Sequence, residues 1–272
     1  MLVLISPAKI QNFKPQTVTE LYTLPEFLKQ SEQLIHLIKK LSTSELAKLL
    51  DINSNLTQLN IDRYFNWHLP FSPQNAKQAA LTFDGEVFRG LAANTFTNDD
   101  FEYAQSHLRI LSGLYGILRP LDLIQPYRID VSSKLQNPKG ADLYAFWKEK
   151  VSASVLKAMK NGDKQEFILN LMSKEYLKTL DLKQKKVRII DVEFYEMKDD
   201  KYRQIVMYTK KARGLMAQYV IKHRIDDVEE LKGFHDENYW FSPQMSTESK
   251  LVFTRGYISN SFKADCIEKL LF

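Results

Sequence analysis

Four short apolar runs limit what this 272-residue chain can fold into: MLVLIS at residues 1–6, EFILNL at 166–171, VRIIDVEFYE at 187–196 and LVFTR at 251–255. Each has the length and composition of a strand, and much of the chain between them carries helical spacing. Leu24-Pro25 opens a helix whose Phe27, Leu34, Ile38 and Leu41 recur on one face, and Ser42 with Glu45 forms a capping box for the next. Thr97 with Asp100 caps a further helix, expected to run to about Ser112, stop at Gly113 and give way to a loop holding Pro120 and Pro126. Residues 142–160 predict another helix. The alternation in ALTFDGEVFRGL, residues 80–91, around Asp84-Gly85 predicts a hairpin or a strand with a tight turn. RQIVMYT at 203–209 reads as a strand joined to VRIIDVEFYE through the KDDK turn.

The expected fold class is therefore α/β (mixed α+β), with a mixed sheet surrounded by helices. No Gly/Ser linker, low-complexity tract or internal repeat divides the chain, so residues 1–255 read as one domain. Residues 256–272 form a C-terminal extension. Its Phe262, Ile267, Leu270 and Leu271 predict a short amphipathic helix packed on the same body.

A 44% hydrophobic content excludes intrinsic disorder. The amino-terminal apolar run is too short for a signal peptide and no spanning segment follows, so the expected location is cytoplasmic, with no membrane partner. The single cysteine, Cys266, cannot form an internal disulfide, and the five histidines show no tight ligand spacing. No metal site and no cofactor are expected.

The formal charge of +5 points to polyanionic partners, and its distribution is uneven. Residues 178–224 hold thirteen Lys or Arg against six Asp or Glu, and residues 226–237 hold six acids against one lysine. Two segments stand out as anion-facing. In SPAK, Ser6 and Lys9 follow the carboxyl end of a strand, where open α/β sheets bind ligands. In TKKARGLMAQYVIKHR, residues 209–224, a helix capped by Thr209 has Lys210, Lys211 and Arg213 in its first turn, where cations oppose the helix dipole. Phosphate binding explains that arrangement, and so do ion pairs across the fold.

The stretch HLRILSGLYGILRPLDLIQPYR, residues 107–128, places Arg109, Arg119 and Arg128 among apolar positions. Buried arginines need anions, either Asp122 and Asp130 or a ligand. Gly113 and Gly116 have the spacing of a helix-hairpin-helix, whose glycines let backbone amides reach a DNA phosphate. Pro120 cuts the second helix of such an element short.

These blocks, together with Phe146-Trp147, NLMSKEY at 170–176, KKARGLM at 210–216 and the final LVFTR, occur in an order that resembles the peroxide stress protein YaaA family to about Arg255. The resemblance implies a cytoplasmic bacterial protein of single-domain α/β architecture with a basic cleft. It further implies a helix-hairpin-helix-like element that binds DNA and protection from hydrogen peroxide through limiting intracellular iron and Fenton damage. Two departures are visible: Tyr127-Arg128-Ile129-Asp130-Val131-Ser132 stands where the family has YRLEMG, and Met172 stands where it has alanine. The expected partner is double-stranded DNA, contacted along its phosphates without base reading. The candidate DNA or anion contacts are Ser6, Lys9, Arg109, Gly113, Gly116, Arg119, Arg128, Lys210, Lys211 and Arg213. The alternative is an enzyme acting on a nucleotide or other phosphorylated small molecule, with Lys9, Tyr127, Asp130 and Arg213 converging in the cleft.

Overall fold

The four strand-like runs become the middle of one sheet. The computed structural model describes residues 1–160, 167–182 and 187–256. The expected amphipathic helix beyond Arg255, and Cys266 within it, lie outside those residues. MLVLIS forms β1 (Leu2–Ile5), with all four side chains fully buried. Three helices follow, α1 (Leu28–Ile38), α2 (Thr43–Leu50) and α3 (Ser54–Asn66). The capping box of α2 is complete: Glu45 N–H donates to Ser42 Oγ at 3.3 Å and Ser42 N–H to the Glu45 carboxylate at 2.7 Å.

The next segment departs from the hairpin expected at Asp84-Gly85. β2 (Lys77–Gln78) leads into two short helices, α4 (Ala79–Thr82) and α5 (Glu86–Leu91). Val87 and Leu91 are four apart, a spacing that serves a helix as well as alternation serves a strand, and here the helix wins by packing. A Cβ on Gly90 would collide with Lys211 O, and one on Gly214 with Val87 O. Only a helix lacking side chains at that crossing can lie so close to its neighbour.

α6 (Asn98–His107) starts at Thr97 as expected, with Asp100 N–H donating to Thr97 Oγ1 at 3.2 Å, but it ends five residues early. Leu108–Ser112 is strand β3, and Gly116–Leu118 is its antiparallel partner β4. A segment buried on both sides carries no periodicity that separates helix from strand. The two glycines therefore sit in a β-hairpin, in place of a helix-hairpin-helix. β5 (Leu123–Ile124) pairs with β2.

α7 (Leu143–Lys160), β6 (Phe167–Leu171), the short α8 (Lys174–Leu177) and β7 (Arg188–Lys198) follow. Asp199 and Asp200 turn the chain with φ of 52° and 53°, the left-handed pair that a two-residue hairpin requires, into β8 (Lys201–Arg203). The strand expected over RQIVMYT stops there. Val206–His223 is α9, followed by α10 (Val228–Leu231), β9 (Tyr239–Phe241) and β10 (Lys250–Arg255).

The sheet order is β4-β3-β1-β6-β7-β10-β9, with β8 added on β7. The five strands β3-β1-β6-β7-β10 are parallel. Counted along the chain, their order is 2-1-3-4-5, so the direction of strand addition reverses between β1 and β6. α6 and α9 pack on β1, and Phe194 of β7 packs against Phe234, Tyr239 and Phe253.

Candidate functional site

The reversal point between β1 and β6 is where doubly wound sheets open a crevice beyond their strand ends. Ile5 and Leu171 are register partners there, and the two chains leave the sheet side by side. Ser6 ties them together: its Oγ accepts from Ser173 N–H at 3.0 Å and donates to Ser173 Oγ at 3.4 Å. Pro7 ends the ladder, and Lys9 reaches back over the opening.

Lys9 Nζ lies 3.0 Å from Asp130 Oδ2, and Tyr176 donates to Asp130 Oδ1 at 3.3 Å. Pro7, Lys9, Gln11, Arg128, Asp130 and Tyr176 line the small pocket formed here, with the Tyr127 ring as its inner wall. Tyr127 N–H donates to Gln11 Oε1 at 3.1 Å, which ties the Tyr127–Asp130 segment to the loop after β1. From α3, Tyr64 donates to the Arg128 carbonyl, which brings the neighbouring Arg63 within range of the Arg128 charge. Burial holds the Arg63 guanidinium below its ordinary value; Tyr64 opposes the shift and the Arg128 charge adds to it. Arg63 itself donates Nη1 to Asn60 Oδ1 at 3.4 Å and stands outside the pocket lining. Arg128 lines the pocket and has no ion pair among the described residues, the pocket's acid, Asp130, serving Lys9 and Tyr176.

The phenols in this region keep their protons. Burial pushes Tyr64, Tyr127 and Tyr176 far above the usual tyrosine value, with the Asp130 charge adding to each. The Tyr127 hydroxyl points inward, 2.8 Å from Ser112 Oγ.

The other candidate residues lie elsewhere. Arg119 grips Asp122, with Nε and Nη2 at 3.1 and 2.9 Å from Oδ1 and its own amide at 2.7 Å from Oδ2. Arg109 donates Nη1 to the carbonyls of Gln105 and Leu108, and with Arg119 it lines a different cleft. Residues 113–116 are all buried. A Cβ on Gly113 would collide with Ile129 O, and one on Gly116, whose φ is +72°, would come within 2.7 Å of Trp147. Their glycines serve close packing, and a buried hairpin offers no amide to an external phosphate.

The cations of KKAR are not in a first helical turn. α9 begins at Val206, three residues before Thr209, and the Thr209 hydroxyl bonds the Phe194 carbonyl rather than capping. Lys210 is exposed, Lys211 pairs with Glu237, and Arg213 is turned inward toward Glu193 and Asp191, outside the crevice. The penalty inferred from the helix dipole disappears once the start is moved. Lys9, Tyr127 and Asp130 do meet; Arg213 does not join them.

Sequence reasoning missed Arg63, Tyr64 and Tyr176. Tyr176 falls in the NLMSKEY block, a signal that was present; Arg63 carries none, because α3 reaches the crevice only through the fold. Among the described residues, no His, Cys, Asp and Glu cluster of three or more is arranged to hold a metal, and no helix is long and apolar enough to cross a membrane.

The peroxide stress protein YaaA family matches residues 1–245. The chain is also similar to a UPF0246 protein of Aromatoleum aromaticum, 44% identical over 258 residues that cover 94% of this chain and 99% of the relative. The crevice-forming segments all fall within the matched region, and the chain belongs to the peroxide stress protein YaaA family.

Proposed function

We propose that the protein acts in the response to hydrogen peroxide as a DNA-binding protein, with Lys9 and Arg128 at the crevice, and Arg63 on the adjoining α3, contacting backbone phosphates. The observation that carries this reading is Arg128, which lines the pocket without an ion pair among the described residues while Asp130 is already engaged by Lys9 and Tyr176. A phosphate supplies the missing countercharge and accepts the bidentate hydrogen bonds that guanidinium groups make best. Contacts of this kind position a protein on a duplex without reading sequence. Occupied DNA is then shielded where iron-dependent hydroxyl radicals form, which links binding to peroxide protection.

The test is a salt series of duplex titrations. Replacing both Arg63 and Arg128 by Gln is expected to weaken binding to all sequences alike and to flatten the slope of log K against log salt by roughly 0.9 per lost contact. An unaltered slope sinks the reading.

A second reading rests on the location of the crevice at the reversal point between β1 and β6, the position at which such sheets hold nucleotides. It makes the protein an enzyme on a nucleotide or other phosphorylated small molecule lying across the mouth of the crevice, whose own pocket measures only about 10 Å3. Turnover or saturable nucleotide binding lost in Lys9→Gln, with duplex affinity absent, favours it over DNA.

A further inference from the structure

The crevice leaves a second cationic cleft unused. Between the first half of β3, the end of β4 and α7 lies a cleft of about 290 Å3, lined among others by Glu26, Arg109, Arg119, Asp122, Ser154 and Lys157. It shares no lining residue with the crevice at the carboxyl end of β1. We propose that this cleft is a separate site for a small phosphate-class oxyanion, inorganic phosphate or the phosphomonoester end of a small molecule, held by Arg109, Arg119 and Lys157.

Three cations face two acids here, and both acids are engaged. Asp122 takes three hydrogen bonds from Arg119 and one from Thr23 Oγ1 at 2.6 Å. Glu26 Oε2 accepts from Ser154 Oγ at 2.6 Å. Among the described residues Arg109 has only neutral hydrogen-bond partners, the carbonyls of Gln105 and Leu108 at 2.7 and 2.8 Å. Burial pushes its guanidinium down to about 10, Arg119 adds to the shift, and the charges of Asp122 and Glu26 offset only part of it. A charge desolvated against carbonyls gains most from an oxyanion that accepts two of its hydrogen bonds. Lys157, exposed on α7, closes the mouth with a point charge. The volume is at the lower edge of ligand pockets, which suits a phosphate group and leaves no room for a whole nucleotide.

The test is calorimetric titration of the full chain with inorganic phosphate, and in a second arm with a simple alkyl phosphate. Saturable binding at one site is expected, weakened about tenfold by Lys157→Gln, since one charge-assisted contact is lost. Lys9→Gln, which alters the crevice, should leave it unchanged. Tighter binding of the alkyl phosphate identifies a phosphorylated small molecule as the occupant; tighter inorganic phosphate identifies the free ion. Arg109→Gln should abolish binding; should that buried change prevent folding, the exposed Lys157 variant still decides. Absence of saturable binding in both arms, indifference to Lys157→Gln, or equal loss in Lys9→Gln overturns the proposal.

Discussion

Two clusters of charge in this molecule use the same residue types to opposite ends. At the junction of α6 and α9, Asp100 holds Lys222 Nζ at 2.6 Å and Arg224 Nη2 at 3.0 Å, while also accepting from the Thr97 amide at 2.9 Å. At the carboxyl end of β1, Arg128 lines a pocket whose acid, Asp130, is already bonded to Lys9 and Tyr176, and it has no ion pair among the described residues. The first cluster is complete within the protein, and its burial serves to lock two helices together. The second carries positive charge beyond what its own acid balances. The lesson is that an arginine's role is read from the state of the carboxylates around it, and not from its burial or from the local density of basic residues.

The contrast is most exposed to failure at Asp100. Burial raises the cost of its charge, but hydrogen bonds from Lys222, the Thr97 amide and Arg224 outweigh that cost and hold the carboxyl well below the usual carboxylate range. The stabilisation is therefore present above the unfolded value near pH 4 and disappears as pH falls through the lower folded value. Asp100→Asn should destabilise the protein by about 2 kcal/mol at neutral pH, less than a fully buried pair because both cations reach solvent. Its acid-unfolding curve should also be flatter than that of the parent below about pH 5. DNA affinity should be unchanged. Thermal melts across pH, with a duplex titration at neutral pH, check all three.

A smaller effect is expected at Tyr176, whose hydroxyl bonds Asp130. Tyr176→Phe should cost about 1 kcal/mol of stability, the worth of one hydrogen bond to a carboxylate in a half-buried setting. Stronger duplex binding in this variant, measured alongside the melt, would mean that Asp130 competes with phosphate for Lys9 and would place the acid inside the binding machinery. The smallest effect belongs to Lys211. Its partner Glu237 is exposed to a similar degree, so Lys211→Gln should shift stability by less than about 0.5 kcal/mol and leave the DNA salt slope unaltered. A slope change near 0.9 would return the start of KKAR to the phosphate contacts.

The fold was legible wherever local chemistry and tertiary packing agreed. The capping boxes at Ser42 and Thr97, the Asp199-Asp200 turn, and the strands at β1, β6, β7 and β10 all follow from residue type and spacing. Errors fell where an apolar run is buried on all sides, as in residues 108–112, or where apolar residues are exposed. Val206 and Met207 looked like strand because they are apolar, yet they are 68% and 59% exposed at the start of α9, where alternation signals nothing. The crevice was half legible: Lys9, Arg128 and Asp130 sit in quotable motifs. Arg63 and Tyr64 come from a helix whose approach to the crevice depends on long-range packing, which no single segment encodes.

The place of β1 in the sheet also sets the order of events as the chain folds. Leu2–Ile5 lies between β3 and β6, pairing through Val3 with Leu108 and through Leu2 with Ile168. Neither neighbour exists on a ribosome that has released only the helices α1 to α5. Until β3 emerges, β1 is an apolar strand with two bare edges, and until β6 follows it keeps one, the condition under which chains pair with the wrong neighbour. Contacts between residues so distant in sequence close slowly. Although β7 must in turn await β10, β1 waits longest for its second partner, from residue 5 to residue 171, and it is the segment that a chaperone has most reason to hold.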